Sequence, residues 1–180
     1  MRVIAGAAKG RRLTAPAGAG TRPMTDRARE ALFSSLGAVV RDAAVLDLYA
    51  GSGSLGLEAL SRGAIGAVFV ERDRSAVAAL RRNVAAVGLG GEVVARSVAD
   101  YLAGAVGPFD LVFVDPPYAA SLASVTAVLE ALVPAVAPGA VVILHRRAGE
   151  AAPPVPAGYT AGAPRRYGDS VLWRIEEVAG

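Results

Sequence analysis

Short apolar runs alternate with segments of helical periodicity between residues 45 and 144. Each run has the length of a buried strand and is bounded by glycine, proline or charged residues. The predicted strands are Val45–Tyr49, Ala67–Val70, Glu92–Ala95, Phe109–Val114 and Ala140–Leu144. The predicted helices are Leu55–Arg62, one lined by Val77, Leu80, Val84 and Val87 and ended by Gly88, and one lined by Leu122, Val125, Leu129, Leu132 and Val136. Strands that alternate with helices predict an open parallel α/β sheet with both faces covered.

The C-terminal part returns to a strand pattern after an Ala- and Pro-rich loop at 148–157. Val171, Trp173 and Ile175 alternate with other residues, which predicts a strand over 170–177. The segment 159–167 is predicted to pair with it across a turn at Gly168-Asp169. This hairpin should add antiparallel strands to one edge of the sheet.

The N-terminal part combines a predicted hairpin at 2–14 with an excess of positive charge. Thr25 or Asp26 is placed to cap a helix that follows it. Up to residue 29 there are seven basic residues against one acid, although the net charge of the whole chain is only +3. Such a patch is typical of a surface that binds a polyanion, and a solvated face is the alternative. The candidate contacts are Lys9, Arg11, Arg12, Arg22 and Arg27.

Composition excludes several kinds of chemistry. The 180-residue chain has no cysteine, which removes disulfides, thiolate nucleophiles and Cys-ligated metals. Because His145 is the only histidine, neither a His-based metal site nor a Ser/His/Asp triad is expected. No window supplies the roughly 18 uninterrupted apolar residues of a membrane span, and the N-terminus lacks the apolar region of a secretory signal. We therefore expect a cytoplasmic protein without a metal, and the absence of an obvious association helix favours a monomer.

A glycine-rich turn and two acids follow the first three predicted strands. Gly51 and Gly53 come directly after the strand that contains Asp47, and glycine allows a ligand to approach the backbone closely. Glu71 ends the second strand, where nucleotide-binding α/β folds use an acid to accept hydrogen bonds from ribose hydroxyls. Asp100 follows the third strand and is placed to accept a hydrogen bond from an adenine amino group. Together these residues predict a nucleoside-containing cofactor.

Each of these features also has another interpretation. A tight turn would explain the glycines, a solvated strand end would explain Glu71, and helix capping would explain Asp100. Hydride transfer with NAD(P) fits less well, because nothing later in the chain resembles a second nucleotide-binding half. Gly56 is followed by Leu57 and Glu58 where a phosphate-binding P-loop would have a lysine.

The fourth predicted strand ends in the tetrapeptide Asp-Pro-Pro-Tyr at residues 115–118. Prolines donate no backbone hydrogen bond and hold φ at about −65°, so the segment presents two acceptors, the Asp115 carboxylate and the Pro116 carbonyl, beside the Tyr118 ring. These groups suit a planar amine such as the exocyclic nitrogen of a nucleobase. Two acceptors would stabilise the positive charge on that nitrogen as it attacks a sulfonium-bound methyl group. The alternative is a tight turn with Tyr118 as core filler.

These motifs resemble those of class I S-adenosylmethionine-dependent methyltransferases. The resemblance lies in "LDLYAGSGSLGLEAL", "VERD" and "FVDPPY", in that order. The segments "RVIAGAAKGRRL" and "TRPMTDRAREALFSSL" narrow it to the bacterial 16S ribosomal RNA guanine-N2 methyltransferases that modify guanine 966. This family implies a Rossmann-like seven-stranded sheet with the last strand antiparallel. Residues 1–22 would be a basic hairpin extension and residues 23–180 the S-adenosylmethionine-dependent methyltransferase domain.

The resemblance implies methyl transfer from S-adenosylmethionine to guanine N2 in 16S ribosomal RNA, within the small (30S) ribosomal subunit. The implied catalytic residues are Asp115, Pro116 and Tyr118, the implied cofactor-binding residues are Asp47, Gly51, Gly53, Glu71 and Asp100, and the basic N-terminal residues would contact RNA. A DNA adenine-N6 methyltransferase and a non-catalytic ribosome-assembly or RNA-binding factor stay open as alternatives.

One segment departs from the family pattern. After the fifth strand, where we expect a glutamate, the chain has His145, Arg146 and Arg147. These residues predict a basic rim that is either an RNA contact or an idiosyncratic surface. We interpret His145 as a strand-end residue rather than a catalytic base.

Overall fold

The computed structural model describes residues 1–16, 24–104 and 106–178. These residues form one sheet with helices on both faces. The strands are β1 (Ala44–Leu48), β2 (Gly66–Val70), β3 (Glu92–Val94), β4 (Phe109–Val114), β5 (Val136–Arg147), β6 (Tyr159–Ala161), β7 (Arg165–Tyr167) and β8 (Ser170–Glu177). The α-helices are α1 (Asp26–Leu36), α2 (Ser54–Ser61), α3 (Arg74–Val87), α4 (Val98–Leu102) and α5 (Leu122–Leu132), with short 3-10 helices at Gly37–Val40 and Val133–Ala135. Among the described helices, none is long and apolar enough to cross a membrane.

The strand order is β3-β2-β1-β4-β5-β8-β6, and β7 also pairs with β8. Strands β1 to β5 run parallel, and β8 is antiparallel to β5. Strands β6 and β7 both lie against β8, at its two ends, and together form one interrupted edge strand. The eight strands therefore occupy seven positions, which confirms the predicted class I methyltransferase sheet.

The parallel order reverses at β1, which lies between β2 and β4. Asp47 on β1 is in register with Phe69 on β2 and Phe113 on β4. Because the three strands end at the same edge, the residues that follow them meet there. In open α/β sheets this switch point is where ligands bind.

Most element boundaries follow from local sequence signals. Thr25 caps α1 by accepting a hydrogen bond from the Ala28 N–H, and Asp73 caps α3 in the same way through the Ala76 N–H at 2.8 Å. That bond lowers the pKa of Asp73. Helix α3 ends at Gly88, which has a φ of +72°.

The fifth strand is longer than predicted. It begins at Val136, which the helical pattern had assigned to the preceding helix, and that assignment is wrong. Helix α5 ends at Leu132 and is followed by a 3-10 turn that contains Pro134. Pro138 and Gly139, which the sequence pattern places after the end of the helix, lie inside β5. The pairing of β5 with β4 shifts register there, and this irregularity accommodates both residues in the strand.

The N-terminal hairpin is part of the main hydrophobic core. Arg2 and Arg12 form an antiparallel bridge, as predicted for this segment. Val3, Ala8 and Leu13 are buried in the same cluster as residues of α1, α2 and α3. The hairpin is therefore packed against the helical layer rather than extended from it.

Buried polar groups of α2 fix the hairpin in place. The Glu58 carboxylate is fully buried and accepts hydrogen bonds from the backbone N–H groups of Ile4 at 2.7 Å and Ala5 at 3.0 Å. It also accepts one from Arg62 Nε at 2.7 Å. Arg29 on α1, likewise fully buried, lies 3.9 Å from the same carboxylate. Burial lowers the pKa of Arg29.

A second residue of α2 holds the turn of the hairpin. The Ser61 hydroxyl donates to the Ala5 carbonyl at 2.5 Å and accepts from the Ala8 N–H at 2.9 Å. A Cβ atom at Gly6 would lie 1.7 Å from the Ser61 carbonyl oxygen. Only glycine can bring the turn this close to the helix.

Candidate active site

The two glycines of the motif after β1 have different environments. Gly53 is the N-cap of α2 with a φ of +78°, and a Cβ there would lie 2.4 Å from Leu80 Cδ1. Gly51 has a φ of +55°, and a Cβ there would meet only the Tyr49 carbonyl oxygen, at 3.9 Å. The packing of α3 therefore requires glycine at Gly53, whereas Gly51 leaves space beside the backbone that a ligand can use.

Glu71 connects this loop to the end of β2. Its Oε2 accepts a hydrogen bond from the Gly51 N–H at 2.9 Å, and its Oε1 accepts from the Arg72 and Asp73 N–H groups at 2.7 and 2.8 Å. A carboxylate offers about four acceptor positions, so a ribose hydroxyl can still donate to it. Glu71 thus orients the glycine-rich loop after β1. It also has an acceptor position left for the predicted ribose hydroxyl.

Asp47 is buried at the end of β1 and orients the start of α2. Its Oδ2 accepts a hydrogen bond from the Gly56 N–H at 2.9 Å. Burial raises the pKa of the Asp47 carboxyl well above its ordinary value. The Gly56 bond opposes that pKa shift, and the negative charges of Asp115 and Glu71 add to it.

Three carboxylates therefore lie together at the carboxyl edge of the sheet. Asp47, Glu71 and Asp115 follow or end the adjacent strands β1, β2 and β4, and their charges interact. Within the described residues, no arginine or lysine forms an ion pair with any of the three. Concentrated negative charge of this kind favours a cationic ligand.

Asp100 lies on the short helix α4, on the exposed surface. The Ser97 hydroxyl accepts a hydrogen bond from the Asp100 N–H at 3.1 Å and donates one to Asp100 Oδ2 at 2.6 Å. This is the helix-capping geometry that the sequence left open as an alternative. The predicted contact with adenine stays a prediction.

The Asp-Pro-Pro-Tyr segment follows β4 at the same edge. The Asp115 N–H continues the strand pairing to the Leu48 carbonyl at 3.4 Å. The Pro117 carbonyl accepts a hydrogen bond from the Ala120 N–H at 2.8 Å, which closes the turn. No hydrogen bond to the Pro116 carbonyl occurs among the described residues. Pro116 is buried, and its carbonyl keeps its acceptor capacity; its role as the second acceptor stays a prediction.

His145 lies beside this segment, which the sequence did not predict. Its Nδ1 is 2.6 Å from Asp115 Oδ1, and its ring meets the Tyr118 ring edge-on with 6.0 Å between centroids. Only 3% of His145 is exposed. A signal for this contact was present, since strands β4 and β5 were both predicted, but their relative register was not.

Arg146 is also buried, and it holds the other side of the loop. Its guanidinium donates to the Pro117 carbonyl at 3.2 Å and to the Ala120 carbonyl at 2.9 Å. Glu150 compensates its charge at 2.6 Å. The prediction of a basic rim over 145–147 is therefore wrong for His145 and Arg146, because both turn into the protein, and only Arg147 is exposed.

The predicted RNA-contacting residues lie on the surface where the structure describes them. Lys9, Arg11, Arg12 and Arg27 are exposed, and none makes an ion pair or side-chain hydrogen bond within the described ranges. Arg22 lies outside the described residues. These side chains are free to contact phosphates.

A second basic surface lies next to Glu71, which sequence analysis missed. A cleft of about 360 Å³ is lined by Arg72, Arg74 and Arg81 together with Ala95. These arginines are exposed, and no ion pair within the described part of the chain involves them. Arg72 precedes α3 and the other two lie on it, seven positions apart, so only the folded helix shows the three as one surface.

The amino-acid sequence was compared with known protein families and with curated proteins. A sequence model of the family described as Conserved hypothetical protein 95 matches residues 1–176. The chain belongs to this family. It is 48% identical over 119 residues to the Ribosomal RNA small subunit methyltransferase D of Escherichia coli strain K12, a match that spans 66% of this chain and 60% of the length of that protein.

Solved structures agree over nearly the whole chain. An Escherichia coli structure described provisionally as the methyltransferase yhhF has a TM-score of 0.88 and 36% identity, covering 100% of this chain and 99% of that one. A hypothetical protein of Thermus thermophilus has a TM-score of 0.84 and 37% identity, covering 97% of this chain and 98% of that one. The family and the fold of class I methyltransferases are thus established for this chain.

Proposed function

We propose that this protein transfers a methyl group from S-adenosylmethionine to the exocyclic N2 of a guanine, guanine 966, in 16S ribosomal RNA of the small subunit. The observation that carries this proposal is the pair of acceptors at Asp115 and Pro116, beside the Tyr118 ring and at the same sheet edge as Gly51. Small-subunit ribosomal RNA is also what the name of the Escherichia coli relative specifies for that protein.

The acid-rich edge supports the proposed cofactor. S-adenosylmethionine supplies a methyl group on a cationic sulfur and also carries an ammonium group. The negative charges of Asp115 and Glu71, which add to the effect of burial in raising the pKa of Asp47, favour a positive ligand, and such a ligand would in turn favour the ionised form of Asp47. Gly51 leaves room beside the backbone, and Glu71 retains acceptor capacity for ribose.

The residues at 115–118 would activate the amine. The lone pair of an exocyclic amine is conjugated with the base, so the nitrogen is a poor nucleophile. Asp115 and the Pro116 carbonyl would accept its two hydrogens and hold it in a tetrahedral geometry, while Tyr118 stacks on the base. As the N–C bond forms, the C–S bond breaks and sulfur leaves as a neutral thioether. The cationic nitrogen then loses a proton, which the partly exposed Asp115 can accept and pass to water.

The basic surfaces would bind the RNA backbone. Lys9, Arg11, Arg12 and Arg27 are exposed, and the cleft beside Glu71 adds Arg72, Arg74 and Arg81. Phosphate contacts release counterions, so affinity should fall steeply with salt. If RNA affinity barely changes between about 50 and 200 mM salt, the proposed role of these residues is wrong. A ribosomal substrate also implies action in the cytoplasm.

A single product assay tests the reaction. Labelled S-adenosylmethionine is offered to under-methylated small subunits, to free 16S ribosomal RNA and to DNA, and the products are digested to nucleosides. N2-methylguanosine from subunits or ribosomal RNA is the expected result, and mapping should place it at position 966. N6-methyladenine from DNA would support the rival enzyme. Absence of any product would support a non-catalytic ribosome-assembly factor.

A further inference from the structure

His145 is a buried polar residue that packing alone does not explain. It lies on β5 with 3% of its surface exposed, on the face whose neighbouring core residues are Val141 and Ile143. Its Nε2 has no hydrogen-bond partner among the described residues. An unpaired polar atom in a core is destabilising, and a leucine would fill the position without that cost. The bond made by the other nitrogen must therefore account for the histidine.

That bond is directed at the proposed catalytic carboxylate. Val114 on β4 pairs with Leu144 on β5, so the next residues, Asp115 and His145, lie side by side across the ladder. Nδ1 lies 2.6 Å from Asp115 Oδ1, which is short for an N–H···O bond, and bonds to charged acceptors are shorter than neutral ones. Within the described chain no other side chain or backbone N–H donates to the Asp115 carboxylate. Oδ1 is thus held from the core side, and Oδ2 is left for a ligand.

The imidazole also touches the second residue expected to contact the base. Its ring meets the Tyr118 ring edge-on, with centroids 6.0 Å apart. The Asp115 side chain is 32% exposed whereas His145 is buried, so the pair runs from the core towards the open edge of the sheet. One buried ring therefore contacts both the acceptor carboxylate and the stacking ring.

We propose that His145 is a positioning residue for methyl transfer, whose Nδ1–H fixes the Asp115 carboxylate in the orientation that accepts the substrate amine. This inference rests on the proposed function for the identity of the amine. A neutral imidazole has one N–H, so donation from Nδ1 leaves Nε2 as a bare lone pair. We therefore expect His145 in the tautomer that carries its proton on Nδ1.

The single histidine allows a direct test without substrate. In ¹⁵N-labelled protein, every imidazole signal belongs to His145. We expect a protonated Nδ1 and an unprotonated Nε2, with the Nδ1–H resonance lost in Asp115→Ala. A wild-type protein with its proton on Nε2 would overturn the inference. Because no methylation is measured, this result is independent of the proposed function.

Two amide substitutions provide the matched kinetic test. The Asn side-chain nitrogen occupies the position of Nδ1, whereas the Gln nitrogen reaches the position of Nε2. We expect His145→Asn to keep turnover within about threefold, and His145→Gln and His145→Leu to lose about 10- to 100-fold in kcat with little change in KM for S-adenosylmethionine.

Thermal melting of each variant separates lost folding from lost positioning. Turnover of His145→Leu equal to wild type would overturn the inference, as would a folded His145→Asn that falls as low as the other two. Wild-type protein assayed beside them reports on the proposed function separately. If the wild type methylates a different nucleobase amine, the Asn and Gln comparison is made on that substrate.

Discussion

Two carboxylates, Glu58 and Asp115, occupy opposite kinds of site in this molecule. Glu58 on α2 is fully buried, and its two oxygens receive two backbone N–H groups and the Arg62 guanidinium. Asp115 after β4 is 32% exposed in its side chain and receives one hydrogen bond, from His145. The first carboxylate is closed off from solvent and has protein donors on both oxygens, and the second does not.

The difference shows how a structural acid can be distinguished from a ligand-binding one. A carboxylate that is fully buried, with donors from its own chain on both oxygens, fixes tertiary structure and is out of reach of a ligand. A carboxylate held on one side only, at the carboxyl edge of a parallel sheet, is oriented and still available. The sequence alone does not distinguish them, because Glu58 and Asp115 are both acidic residues next to apolar segments.

The largest expected effect is on Glu58, the buried acid. Replacing Glu58 by Gln removes the charge paired with Arg62 and one of the two that face Arg29, the other being Asp26, and it points an N–H₂ group at backbone donors. We expect the free energy of unfolding to fall by about 3–5 kcal/mol, measured by urea unfolding, with kcat of the folded protein little changed. Glu30→Gln on exposed α1 is the control, expected within about 0.5 kcal/mol of wild type. A Glu58→Gln protein as stable as this control would contradict the structural role.

The open acid should give the opposite result. Asp115→Ala is expected to lower kcat by about 100- to 1,000-fold, the usual loss when one transition-state hydrogen-bond group is removed. Its free energy of unfolding should fall by about 1–3 kcal/mol, because the buried Nδ1 of His145 loses its acceptor. Asp115→Asn, which keeps a neutral acceptor, should lose less. Full turnover in Asp115→Ala would show that the carboxylate has no part in the reaction.

The two glycines extend the same comparison to the cofactor loop. Gly53→Ala places a methyl group against Leu80 and should lower the free energy of unfolding by about 1–3 kcal/mol. Gly51→Ala meets no packing clash, so only the backbone strain of about 1 kcal/mol applies. Calorimetric titration should instead show weaker S-adenosylmethionine binding by Gly51→Ala. Equal affinity in Gly51→Ala and wild type would indicate that the ligand does not approach this backbone.

The smallest predicted effect is a pH dependence through Asp47. Burial raises the pKa of this carboxyl, so it is protonated over a pH range in which an exposed aspartate is ionised. A cationic cofactor prefers the ionised form. Affinity for S-adenosylmethionine should therefore rise with pH, by no more than about tenfold per pH unit, and level off above the raised pKa. Titrations across pH with Asp47→Asn as the pH-independent control check this.

Without ligand the sign for stability is the reverse. Because the folded-state pKa of Asp47 lies above its unfolded value, its contribution to stability is complete below the unfolded value and is lost as pH rises through the folded one. The free energy of unfolding of wild type relative to Asp47→Asn should thus decrease with rising pH. A difference that stays constant across the range would contradict the raised pKa.

Local pattern was sufficient where a feature depends on neighbouring residues. Strand β4, the caps at Thr25 and Asp73, and the αL end of α3 at Gly88 follow from side chains within a few positions. Local pattern was not sufficient for Val136. Its apolar spacing also fits a helix, and only its pairing with β4 makes it the start of a strand.

The sequence by itself determined the alternation of strands and helices, the glycine turn, and the acceptor edge at 115–118, since each is written in contiguous residues. Only the tertiary structure decided that His145 supports Asp115, that Glu58 receives the N-terminal hairpin, and that three arginines near Glu71 line one cleft. Those contacts join residues far apart in the chain, up to 54 positions for Ile4 and Glu58. Strand register and helix packing set them, and neither is encoded in any local pattern.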